Sequence, residues 1–221
     1  LTIRDGSRVS SACCGTGDSF VANEIVLESG LLSVPLAGET PIRKITDGTA
    51  YLDGESSLFD GRVDIYGGAL VVGSNGNWGL RALGSAETVV HPGGRLVIGP
   101  ERRGQDPSAP FPKVTLAGGE LYGVSTSNDV LLSLRGPVQV TEDSTVLLLD
   151  GTANQNQPAP IVIDGSIHVR SGVTLTVLGQ QSDNRGLTVT GEINLEPGAT
   201  LAGTGSVRSE LVIDDGAILS P

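Results

Sequence analysis

Residues 191–221 read GEINLEPGATLAGTGSVRSELVIDDGAILSP, and this stretch decides the fold. Counting from Gly191, apolar residues fall at Ile193 and Leu195, a turn residue at Gly198, and another apolar residue at Leu201. The cadence restarts at Ser209, with Leu211, Ile213, Gly216 and Leu219. Successive side chains of a strand point to opposite sides, so apolar residues at every second position mark short strands with one buried face. Each copy is two such strands meeting at a glycine corner.

Two earlier copies keep the same spacing. Gly165 leads to Ile167, Val169, Gly172 and Leu175, and Gly136 leads to Val138, Val140, Asp143 and Val146. Looser relatives are Gly61 with Val63, Ile65, Gly68 and Leu70, and Val89 with Gly93, Leu96, Val97 and Ile98. The four regular copies follow one another after 29, 26 and 18 residues. That is too little chain for crossover helices, yet every strand keeps one polarity, which calls for a coil whose rungs pair in parallel. Inward Val, Ile and Leu then form a continuous column, with rungs about 4.7–4.9 Å apart. The expected fold is all-β: a parallel β-helix, or β-solenoid, with side-loop insertions.

Composition agrees. The 221 residues include 32 glycines, 12 prolines and only seven aromatic residues, which argues against a helical bundle. Seven Asp-Gly pairs begin at Asp5, Asp47, Asp53, Asp60, Asp150, Asp164 and Asp215 and read as corners, where Gly, Asn and Asp tolerate left-handed backbone. The alternative for such pairs is a two-residue hairpin turn in a meander or sandwich. Rungs are expected over residues 51–221. Residues 1–50 fit the pattern poorly and are expected to be an irregular cap or junction, with Val26-Leu27 and Leu31-Leu32-Val34 as candidate strands. The strand at 217–219 leaves an open edge, which further chain or another subunit is expected to cover.

Within the quoted stretch, Gly198-Ala199-Thr200-Leu201, Gly203-Thr204-Gly205 and Gly216-Ala217-Ile218-Leu219-Ser220-Pro221 resemble the autotransporter-associated β-strand repeats of bacterial surface proteins. The likeness is recognisable from Gly136 onward. It implies a right-handed parallel β-helix, secreted and displayed at a bacterial cell surface, adhesive or self-associating; the open end rung separately points to head-to-tail filaments.

Candidate recognition residues lie in the stretches between strands, because loops on a rigid scaffold commonly carry binding. Residues 73–78 hold Asn75, Asn77 and Trp78, the sole Trp; residues 100–112 hold Arg102 and Arg103; residues 151–160 and 179–186 are further insertions. The expected partners are the chain itself, end to end or side by side, or a cell-surface glycan or protein. A net charge of −11 repels phosphate backbones and anionic lipids, so nucleic acid is not an expected partner. No apolar run approaches the roughly 18 residues of a membrane-spanning helix, so direct membrane insertion is not expected either.

Catalytic and cofactor signatures are sparse. Cys13 and Cys14 are adjacent, too close for an ordinary disulfide, and read as free thiols in a loop, with a cross-link through them as the alternative. His91 and His168 stand far apart without a third Cys/His ligand, and read as exposed strand positions. No Gly-x-Ser-x-Gly elbow or phosphate loop occurs. Calcium at Glu142-Asp143 or Asp214-Asp215 lacks the nonapeptide motif, so no cofactor is expected. Asp60, Asp150 and Asp164 precede corner glycines and read as turn formers. Were such carboxylates to converge in a groove, they would support the alternative function, a polysaccharide-degrading β-helix enzyme or a tailspike-like glycan-binding protein.

Overall fold

The computed structural model describes residues 1–4, 7–10, 20–54, 56, 58–73, 82–98, 112–123, 132–148, 161–179 and 186–220. Through these residues the chain winds as a parallel β-solenoid, every strand pairing being parallel. In chain order the first sheet takes Thr2–Ile3, Ile25–Leu27, Ile42–Lys44, Arg62–Ile65, Glu87–Val90, Lys113–Ala117, Val138–Glu142, Ile167–Val169, Leu187–Leu195 and Val207–Ile213. The second takes Arg8–Ser10, Gly30–Ser33, Thr49–Asp53, Gly68–Val72, Gly94–Ile98, Glu120–Gly123, Ser144–Leu148, Thr174–Gly179, Thr200–Ala202 and Ile218–Ser220. Each turn contributes one of these strands to each sheet.

The repeat spacing is the turn length. Val138 pairs with Ile167, Ile167 with Ile193, and Ile193 with Leu211, at the 29, 26 and 18 residues read from the sequence. The same inward column continues backward through Val114, Thr88, Val63, Ile42 and Ile25. A parallel one runs from Ile3 through Leu27, Lys44, Ile65, Val90, Leu116, Val140 and Val169 to Leu195. Their Val, Ile and Leu members are buried from the first turn to the ninth. At about 1.5–3 kcal/mol for each fully buried large aliphatic side chain, these columns are the main force holding the coil. Leu211, Ile213 and Leu219 keep the inward register but are 39 %, 46 % and 48 % exposed, because no described turn lies over theirs.

Among the described residues before 51, Thr2–Ile3, Ile25–Leu27 and Ile42–Lys44 belong to the first sheet and Arg8–Ser10, Gly30–Ser33 and the start of Thr49–Asp53 to the second, while Ala37–Gly38 pairs with Leu58–Phe59 in a separate two-stranded sheet. Their turns are short: Ile25 pairs with Ile42, and Ile42 with Val63. Lys44 and Ala50 hold inward positions where the cadence calls for large apolar residues, and this hides the turn.

Corners follow glycine chemistry. Gly172, Gly198 and Gly216, the expected turn positions, have φ of 72°, 75° and 83°, a region that side chains with a Cβ enter at a cost. At Gly165 the constraint is space, because a Cβ there would lie 2.4 Å from the Gly136 carbonyl oxygen of the preceding turn. Leu187–Leu195 runs unbroken across that kind of corner. Its first half pairs with Ile161–Asp164, which pairs with Leu132–Arg135, so a third face joins the first sheet there.

One alignment read from the sequence is corrected. The cadence sets Val146 against Leu175, but Val146 pairs with Val177, and Leu175 faces Ser144. The corner between Val140 and Ser144 is two residues shorter than its successor between Val169 and Leu175. The Asp143 carboxylate bridges the mismatch, accepting the Thr174 amide at 2.7 Å.

Candidate functional site

Three features outside the core can meet a partner: one edge and two outer faces. The edge lies at the ends of the second-sheet strands. Val72 pairs with Ile98 and Ile98 with Gly123, and Leu148 pairs with Gly179, so these strand ends are register-equivalent. Residues 74–81, 99–111, 124–131, 149–160 and 180–185 follow these ends in the chain and lie outside the described residues. Asn75, Asn77, Trp78, Arg102 and Arg103 fall among them, and Cys13 and Cys14, within residues 11–19, also lie outside the described residues.

The outer face of the first sheet is polar. Its central outward column reads Thr2, Val26, Arg43, Asp64, Val89, Thr115, Gln139, His168, Asn194 and Val212, three of the ten being Val. Asp64 accepts from Arg62 Nε at 2.8 Å and Nη2 at 3.0 Å, and its Oδ1 lies 2.9 Å from His91 Nε2 on the next turn. The His91 ring stacks on Tyr66 with centroids 4.2 Å apart. Burial by itself would raise the Asp64 carboxyl, but the hydrogen bonds from Arg62 and His91 outweigh it and hold the group below its ordinary range.

A second histidine pair repeats the device four turns on. His168 Nε2 lies 2.7 Å from Glu196 Oε1, and Glu196 Oε2 accepts the Ser171 amide at 2.7 Å. That amide first, and His168 second, lower the Glu196 carboxyl. His168 occupies an outward strand position, whereas His91 sits just past its strand at the corner, and both bridge adjacent turns. Sequence reasoning missed both pairs, since Asp64 and His91 are 27 positions apart and align only once the turn length is known.

The outer face of the second sheet is different. Leu31, Tyr51, Val71, Val97, Tyr122, Leu147 and Leu178 form one outward column over seven consecutive turns. Beside it runs Thr49, Ala69, Arg95, Glu120, Thr145 and Thr176. Arg95 Nε and Nη2 both lie 2.8 Å from Glu120 Oε2, and its guanidinium sits 4.3 Å from the Tyr122 ring centroid. A signal was present in the sequence, opposite charges 25 positions apart, which is one turn here.

Among the described residues Lys44 is one of the largest fully buried side chains, and it stands in an inward column between Leu27 and Ile65. Its ammonium donates to the Thr46 and Gly67 carbonyls, the latter at 2.9 Å. Burial lowers its pKa, partly offset by Asp47 and Glu28. Among the described residues no three His, Cys, Asp or Glu side chains gather as a metal cluster. Asp164 accepts from Thr190 Oγ1 at 2.9 Å, a cross-turn bond at the corner position expected of it.

No family model, curated protein or solved structure matches the chain.

Proposed function

We propose that this chain is a structural and adhesive β-solenoid of a bacterial cell-surface protein, a rigid rod that carries recognition segments along one edge and associates with its own kind. The observation that carries the reading is the register equivalence of Val72, Ile98 and Gly123, and of Leu148 and Gly179. Segments of unequal length enter at the same point of successive turns, so sequence can vary there without disturbing the stack. The resemblance of residues 191–221 to surface-protein repeats supports secretion and display.

The test replaces residues 74–81, 99–111 and 149–160, singly and together, with Gly-Ser linkers. Binding is read on arrays of glycans and extracellular-matrix proteins. The expected result is unchanged far-UV circular dichroism with loss of the array signal. New reducing ends or unsaturated products, after incubation with polysaccharides, would replace this reading with the glycan-degrading one. Array binding that survives all the replacements would also overturn it.

A further inference from the structure

We infer that the outer face of the second sheet is a self-complementary docking surface for a second copy of this chain, the two solenoids lying face to face with their axes antiparallel. This deepens the reading above by naming one partner and its face, and rests on it only for the coil itself.

Strand alternation places one set of residues outside on each sheet, without regard to polarity. The first sheet fills that set mainly with Arg, Asp, Thr, Gln, His and Asn, as water demands. The second sheet fills it with Leu, Tyr and Val over seven turns in a row. Tyr51 is 39 % exposed, Val97 is buried, and the other five are half-buried. A continuous apolar stripe of this kind marks an interaction surface.

The choice of a second copy comes from the order of residues along the two columns. A two-fold axis parallel to the strands, passing between the turns of Arg95 and Glu120, preserves each column and reverses the order of turns. It sets Arg95 against the other copy's Glu120, and Glu120 against its Arg95. In the apolar column the same operation sets Val97 against Tyr122, Val71 against Leu147, and Tyr51 against Leu178. In the neighbouring column Ala69 meets Thr145, and Thr49 meets Thr176. Aromatic rings meet aliphatic side chains, small residues meet small residues, and no like charges oppose each other over six turns. Self-complementarity under one operator is what an isologous interface requires.

Size sets the strength. Six rungs at about 4.8 Å and five residues at about 3.3 Å give a projected footprint of roughly 450 Å² per copy. A standard interface buries about 800 Å² per partner, so this contact belongs to the transient class.

The test is a charge exchange read by sedimentation velocity on the whole chain from about 5 µM to about 500 µM, a range spanning weak association. Wild type is expected to pass from monomer to dimer. Arg95→Glu and Glu120→Arg each place like charges across the two-fold and are expected to remain monomeric, at least tenfold weaker in association. An equimolar mixture of the two variants is expected to regain the dimer, as is the double variant R95E/E120R. Recovery in the mixture distinguishes contact between copies from loss of the internal Arg95–Glu120 pair, which both single variants lack. Circular dichroism confirms that each variant is folded. A wild type that stays monomeric, a mixture that fails to associate, or species beyond dimers that ignore these substitutions would each overturn the proposal. Failure here leaves the loop-replacement result standing, and the reverse also holds.

Discussion

The two outer faces of this solenoid are built by the same backbone and differ in almost every side chain. On the first sheet, outward positions hold Asp64, Thr115, Gln139, His168 and Asn194, and cross-turn bonds such as His91 to Asp64 spend that polarity on the coil itself. On the second, outward positions hold Tyr51, Val71, Val97, Tyr122, Leu147 and Leu178, whose apolar surface the coil does not need for its core. The lesson is that inward columns are dictated by folding, whereas outward columns are free to carry other tasks. Both faces carry cross-turn bonds, and the second adds the apolar column on which the docking proposal rests.

The sharpest way to test that division is to compare neighbours on one strand. Leu121 is fully buried and Tyr122 points outward beside it. Leu121→Ala is expected to lower stability by about 2–5 kcal/mol through lost transfer energy and an unfilled cavity. Tyr122→Ala is expected to cost less than half as much by urea titration while weakening self-association. Equal losses at both positions would erase the distinction between the columns.

Lys44→Ala comes next, with an expected loss of about 2–4 kcal/mol. It removes a buried side chain and leaves the Thr46 and Gly67 carbonyls without their donor. The same denaturation series measures it, and a change below about 0.5 kcal/mol would mean that water replaces the ammonium.

On the polar face, Asp64→Asn is expected to cost about 1–2 kcal/mol at neutral pH, since it weakens the hydrogen bonds to Arg62 and His91 at a site that is mostly shielded. The pH dependence has a definite sign. The folded carboxyl titrates below its ordinary value of 3.8, so its contribution is complete above that value and is lost as pH falls through the lower folded one. Wild type should therefore lose stability on acidification below about pH 4 more steeply than the Asn variant. Parallel acid-unfolding curves would contradict the assignment. The smallest effect is expected on the apolar face, where Glu120→Gln, at a partly exposed pair, should change monomer stability by less than about 1 kcal/mol.

Much of the inner architecture was legible beforehand because it obeys a simple rule. Ile193 and Leu195, Ile167 and Val169, and Val138 and Val140 alternate as strands do, and their spacing is the turn length itself. The earlier turns were obscured where Lys44, Ala50 and Thr88 occupy inward positions. The outward stripe was hidden for another reason. Leu70-Val71-Val72 and Leu96-Val97-Ile98 are continuous apolar runs, so alternation cannot show that Val71 and Val97 point away from the core. The histidine pairs needed the register, and the loop residues that drew attention first, Trp78 and Arg102 among them, lie outside the described residues.

The central claim is the parallel, in-register coil, and a spin-label ruler along one outward column tests it most directly. With Cys13 and Cys14 changed to Ser, labels are placed in pairs at Thr49 and Glu120, Thr49 and Thr145, and Thr49 and Thr176. These positions are three, four and five turns apart. Pulsed electron resonance should give backbone separations of about 14, 19 and 24 Å, a steady increase of one rung per turn. Separations that fail to grow with turn number, as in a meander or sandwich, would contradict the coil.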